Sequence, residues 1–329
     1  MFYILYHIFI MLSTIKANFT TVKENFNQTA NTIIENINAR KSVFYTLLLI
    51  IVLIIIFYLL SENYRTNKVL YKMNIYDTYM NVANTDFKDN TNTGVSHILS
   101  DYYVASSFRS VIGENQRFDY CSVEILKKIL KAGARFLWFD IYNSDLTSYA
   151  EPVVSNGIKE GNWKLTLNTV SFEDCCKVIG TYAFKSGRVN NYNDPLILAL
   201  NLNTNNNLHS LKKVKQALVK YLGNNLLGVQ YNYKNMDISK LEMKKIAGTI
   251  KRSPKALIFA SEGFVNSELE ELINYSWVQK SLKKIDNKSI DPSNNDSIIK
   301  EDPVYITNFN KTGLSIVVPD EDTILTRQY

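Results

Sequence analysis

The sequence predicts a mixed α/β domain carried behind a single membrane-spanning helix, and three observations lead there. One uncharged aliphatic run stands near the N-terminus. Beyond about residue 95, strand-like and helix-like segments alternate, the order expected of strands crossed by helices. At 329 residues and 46% hydrophobic side chains, the chain can bury one large core besides its appendages.

The aliphatic run covers residues 43–60, VFYTLLLIIVLIIIFYLL, without charge, glycine or proline. At about 1.5 Å of rise per residue it spans most of a hydrocarbon layer roughly 30 Å thick. Core helices of water-soluble domains seldom stay so aliphatic for so long. The expected layout is an N-terminal tail over 1–41, a transmembrane helix over 42–60, a linker over 61–95 and a folded domain over 96–329. Lys23, Arg40 and Lys41 on one flank are matched by Arg65, Lys68 and Lys72 on the other, so basic residues leave the orientation open. The earlier stretch MFYILYHIFIML is too short to span and lacks a basic leader, which makes it a poor signal peptide.

Within the folded domain, residues 102–108 and 135–142 read as strands. Between them Ser122 can cap a helix whose apolar face is Ile125, Ile129 and Leu130, with Gly133 to end it. LILAL at 196–200 reads as a buried strand, and Leu208, Leu211, Val214 and Leu218 follow at helical spacing. The run 256–260 is another strand, the next helix is expected to open with the capping pair Ser267 and Glu270, and 314–318 closes the series. Residues 283–302 are expected to form a polar surface insertion. Periodicity alone leaves an open doubly wound sheet and a barrel equally available.

Composition removes several functions. The net charge of +6 arises from 37 basic and 31 acidic side chains, with no basic block dense enough for nucleic acid. Cys121, Cys175 and Cys176 are odd in number and lack CxxC spacing, which speaks against a disulfide framework and against a zinc site.

Five segments then follow in a recognisable order: SDYYVASSF at 100–108, GARFLWFD at 133–140, EPVVSNG at 151–157, SFEDCCKVIGTYAF at 171–184 and DPLILALNLN at 194–203. From 96 to about 320 the chain resembles the X-region of phosphoinositide-specific phospholipase C, within the PLC-like phosphodiesterase superfamily. The resemblance implies a distorted TIM-type (β/α) barrel with its site at the C-terminal ends of the strands. Members of the family usually continue past the VVPDED-like strand into a final closing strand. Ending at Tyr329 leaves three expectations: an open barrel, a gap covered by the N-terminal regions, or a truncated reading frame. The amino-acid usage and the preceding helix are similar to those of proteins from large DNA viruses.

The resemblance also implies what has been lost. Family members place one histidine after the first strand and another in an HG pair after the third; here those positions hold Phe108 and Asn156, the latter still followed by Gly157. Neither exchanges a proton near neutral pH, and a positioned acid or base supplies about 10²–10⁴ in rate. The four calcium-ligand positions of eukaryotic members read Arg109, Trp138, Asp140 and Asn201, so one carboxylate remains where calcium needs about six to eight oxygens. No calcium site or other cofactor is expected. Arg109 either takes the place of the metal and pairs with Asp140, or points to solvent. Trp138 is expected to fill the former metal pocket, and Lys164 either meets a phosphate or stays solvated. His7, His97 and His209 lie in positions unsuited to replace the missing histidines, and Cys175 and Cys176 are expected to be packing residues of a helix. The implied protein is a single-pass membrane barrel, in a virion or host membrane, whose partners are the bilayer and either a phosphoinositide headgroup or another protein. Binding or structural assembly by an inactive enzyme is one reading; a divergent active phosphoric diester hydrolase is the alternative.

Overall fold

The computed structural model describes residues 41–79, 84–85, 97–113, 118–158, 162–247, 254–276, 282–286, 303–311 and 313–318. The chain divides after Asn63 into two compact units. In the first, helix α1 (Lys41–Lys72) carries the aliphatic run, and every described side chain from 45 to 57 is exposed. It is long and apolar enough to cross a membrane. Past the run the same helix enters the second unit, where Val69 is buried in the core and Arg65 donates from Nη1 to the Phe118 carbonyl at 2.8 Å. The start of the expected linker is therefore helical, and a short helix α2 (Ile75–Tyr79) follows.

The second unit begins its sheet at β1 (Ser106–Ser107), then α3 (Val123–Lys131), β2 (Phe136–Asn143), β3 (Pro152–Val154), β4 (Gly157–Ile158), β5 (Trp163–Lys164), β6 (Val170–Ser171), α4 (Phe172–Tyr182), β7 (Leu196–Asn203), α5 (Leu208–Leu222), β8 (Ala256–Ala260) and β9 (Tyr275–Ser276). A separate pair, β10 (Leu282–Asp286) and β11 (Leu314–Val318), flanks helix α6 (Pro303–Asn310). The helices start where short polar side chains satisfy orphan amides: Ser122 accepts from Glu124 N, Ser171 from Asp174 N, and Asn207 from His209 N and Ser210 N.

The main sheet runs β6-β3-β2-β7-β8-β9, with β1 also on β2. Pairings are parallel from β1 through β2, β7, β8 and β9, and antiparallel where β3 joins β2 and β6. Side chains alternate across it. Leu137, Phe139, Ile141, Leu198 and Leu200 face α3, α4 and α5, while Phe136, Trp138, Ile197, Ala199 and Phe259 face a second apolar cluster with Leu227, Ile238 and Leu241. Both faces are covered, as parallel sheets require.

Among the described residues the sheet does not close into a barrel. Leu314 and Ile316 of β11 pack against the second cluster, but β11 pairs with β10 alone. Three expectations are corrected. The strand over 102–108 is ordered as sheet only at Ser106–Ser107, because β2 offers it partners only at Phe136 and Leu137. The helix after Ser267 is a short 3₁₀ turn, Glu268–Leu272, since the Ser267 hydroxyl donates to the Phe264 carbonyl instead of capping. The polar insertion at 283–302 begins within a strand paired to β11; residues 287–302 lie outside the described residues.

Candidate functional site

Chemistry concentrates where β1, β2 and β7 end. Asp140 and Asn201 are direct register partners on β2 and β7, and period-two alternation puts Trp138 on the same face as Asp140. Arg109 arrives from the turn after β1 with φ of +48°, a left-handed conformation uncommon for a residue with a side chain. Ser110 fixes that turn: its N–H donates to the Trp138 carbonyl at 2.9 Å, and its hydroxyl accepts from Trp138 N at 3.1 Å and donates to the Ser107 carbonyl at 3.0 Å.

The buried Asp140 carboxylate is the hub. Arg109 Nε donates to Oδ2 at 2.6 Å, while Trp138 Nε1 and Asn201 Nδ2 each donate to Oδ1 at 2.8 Å. Arg109 and Asp140 are respectively 8% and 1% exposed, so this ion pair is shielded from solvent. The guanidinium also lies 4.7 Å from the Phe108 ring centroid, and Phe108 meets Trp138 at 5.3 Å. Every oxygen of the site's carboxylate is thus engaged by N–H donors, and the cation beside it is covalently part of the chain.

Asn156 sits nearby, buried, after β3. Its carbonyl accepts from Leu165 N at 2.7 Å and from the Ser155 hydroxyl at 2.8 Å, and Ser155 N reaches the Asp140 carbonyl at 3.2 Å. Gly157 pairs with Lys164 across β4 and β5, and an added Cβ there would stand 2.1 Å from the Trp163 carbonyl, so only glycine fits. Lys164 is half-buried and donates to the Ser144 carbonyl at 3.1 Å; burial pulls its amine below the usual lysine range, with Asp145 opposing.

The remaining candidates lie elsewhere. The His97 ring meets Tyr102 edge-on at 6.0 Å, and His209 faces Glu151 at 3.4 Å and Tyr149 at 5.6 Å. Cys175 and Cys176 are fully buried on α4, and burial raises both thiols well above their ordinary value; the same cause pushes Cys121 up to about 12. All three pack in the main apolar cluster. His7 lies outside the described residues.

Residues 95–248 match the family model of the phosphatidylinositol-specific phospholipase C X domain. Over that stretch the chain is similar to the phospholipase C X domain. Two solved structures share its fold: S. officinalis PLC21, with a TM-score of 0.54 at 18% identity, and L. pealei PLC21, with 0.53 at 18%. Each covers 72% of this chain, and the match takes in 32% of either of those longer proteins. No curated protein matches the chain.

Phe108, Arg109, Trp138, Asp140, Asn156, Lys164 and Asn201 all fall inside the X-domain match. The structure brings Phe108, Arg109, Trp138, Asp140 and Asn201 together, and sets Arg109 against Asp140 instead of solvent. Lys164 is tied to the Ser144 carbonyl by a solvent-exposed hydrogen bond. Two features escaped the sequence reading. The indole of Trp138 is a donor to Asp140 as well as a filler, which its i, i+2 spacing on a strand could have signalled. Ser110 carries no sequence signal, because its role depends on the turn that brings it to Trp138.

Proposed function

We propose that this chain is a membrane-tethered phospholipase C X-type barrel that has given up catalysis and serves in binding or structural assembly at a membrane, of a virion or of a host cell. The observation that carries this reading is the saturated carboxylate of Asp140, with Phe108 and Asn156 where the family's proton-transfer histidines stand. A phenyl ring and an amide neither take nor give a proton at neutral pH. Calcium fits poorly here: it needs about six to eight oxygens, whereas the two oxygens of Asp140 already accept three N–H donors and Arg109 supplies the compensating charge. The exposed aliphatic face of α1 supports the tether.

The test uses the full chain in lipid nanodiscs, supplied with phosphatidylinositol or glycerophosphodiesters, with calcium or with chelator, while water-soluble phosphate products are counted. No product above a denatured control is expected under any condition. Product that disappears in Asp140→Ala would instead establish a divergent phosphodiesterase.

A further inference from the structure

Beside the Asp140 hub lies a hollow of about 380 Å³, bounded by Tyr102, Phe108, Phe136, Trp138, Phe259 and Ile316. Residues of the β1 segment and of β11, which do not pair with each other, both line it, and so do Phe108 and Trp138 of the Asp140 site. No charged side chain lines it among the described residues. Its polar groups are neutral: the hydroxyls of Tyr102, Tyr103, Ser106, Ser107 and Ser315 and the indole of Trp138, of which the Ser106 hydroxyl donates to the Val104 carbonyl at 2.7 Å, that of Ser315 to Asn310, and the indole to Asp140. A phosphorylated inositol would meet mainly aromatic and aliphatic walls and no cation among the described residues, so its charge would lose hydration without a counter-ion.

We infer that this hollow takes a hydrocarbon chain, the acyl chain of a lipid, in place of a sugar phosphate headgroup. Binding cavities for small molecules run from about 300 to 1,000 Å³ and are mainly apolar. A dry cavity of about 150 Å³ accommodates one benzene ring, so this one has room on the order of fifteen carbon atoms, the scale of a single chain. The same polypeptide carries a helix of membrane-crossing length, which makes a bilayer the source of such chains. The inference rests on the proposed loss of catalysis, since a working site would need that space for a polar headgroup.

The full chain in nanodiscs is irradiated with a diazirine-bearing palmitic acid, or with a phosphatidylcholine carrying the same group, and labelled peptides are mapped by mass spectrometry. Label is expected on the peptides containing 102–108 and 314–316, besides the unavoidable label on 45–57. Val104→Trp, in the segment before β1, and Ser315→Phe, on β11, fill the hollow and are expected to lower the first label several-fold while leaving the second unchanged. The fatty acid labelling alone identifies a free chain as occupant; labelling by the phosphatidylcholine identifies a bilayer lipid. Label confined to 45–57, or unaffected by either filling variant, overturns the inference, as does label that appears only after residues 319–329 are deleted, which would make the chain's own end the occupant. Turnover counted in the same discs bears on the loss of catalysis alone, so the two ideas fail separately.

Discussion

Asp140 is held by one cation and two neutral donors, and its energetics follow from burial. Desolvating a charge costs several kcal/mol, which a close counter-ion and added hydrogen bonds offset; removing one member leaves the other charge stranded. Asp140→Ala and Arg109→Ala are each expected to destabilise the fold by about 3–5 kcal/mol. The double variant should lose clearly less than the two summed, because the second substitution removes the charge the first had stranded. Urea unfolding followed by tryptophan fluorescence measures all three, and strictly additive losses would show that the pair is not coupled. At this scale the sequence was informative about identity and poor about geometry. Alignment placed Arg109 near Asp140 but left open whether it paired, because a single left-handed residue and the Ser110 contacts settle its direction.

Elements were legible where one signal dominated. Ser122 begins a helix because its side chain finds an amide in the next turn, and β7 follows from an apolar run buried on both faces. Elements were missed where tertiary contacts competed. Glu270, expected to complete a capping box with Ser267, is drawn to Lys234, the Tyr233 hydroxyl and Asn266 N. β10 reads LKKID, without apolar alternation, and exists through its register with β11. The β4–β5 hairpin depends on a glycine that the sequence shows only as part of a motif. Gly157→Ala is expected to lower the unfolding midpoint markedly, because its Cβ meets a backbone carbonyl that cannot move aside. Gly223→Ala, at the end of α5 with open space around it and a helical φ of −42°, should be neutral or slightly stabilising. Thermal unfolding of both variants makes the comparison internal.

For the whole molecule, the α/β class was readable, and an open barrel stood among three expectations that periodicity could not separate, since it reports faces and not closure. Packing is uneven as a result. β2 and β7 have partners on both edges and apolar clusters on both faces, while among the described residues β10 and β11 pair only with each other and reach the second cluster through Leu314 and Ile316. Hydrogen exchange of the full chain should therefore find amides of 136–142 and 196–202 the slowest and those of 282–286 and 314–318 released far earlier. Uniform exchange across these strands would contradict that ordering.

The guanidinium locked against Asp140 also fixes the direction in which this chain can change over generations. On the proposed reading, replacing Arg109 with a neutral metal-binding side chain strands a buried anion before any new ligand exists at 138 or 201, and a carboxylate placed two residues along the strand at 138, or across from it at 201, first meets the occupied carboxylate of Asp140. Each such single step weakens the fold, so under the proposed loss of catalysis the site behaves as a ratchet, and descendants of this sequence are expected to diversify their surfaces and the hollow while leaving the Arg109–Asp140 pair in place.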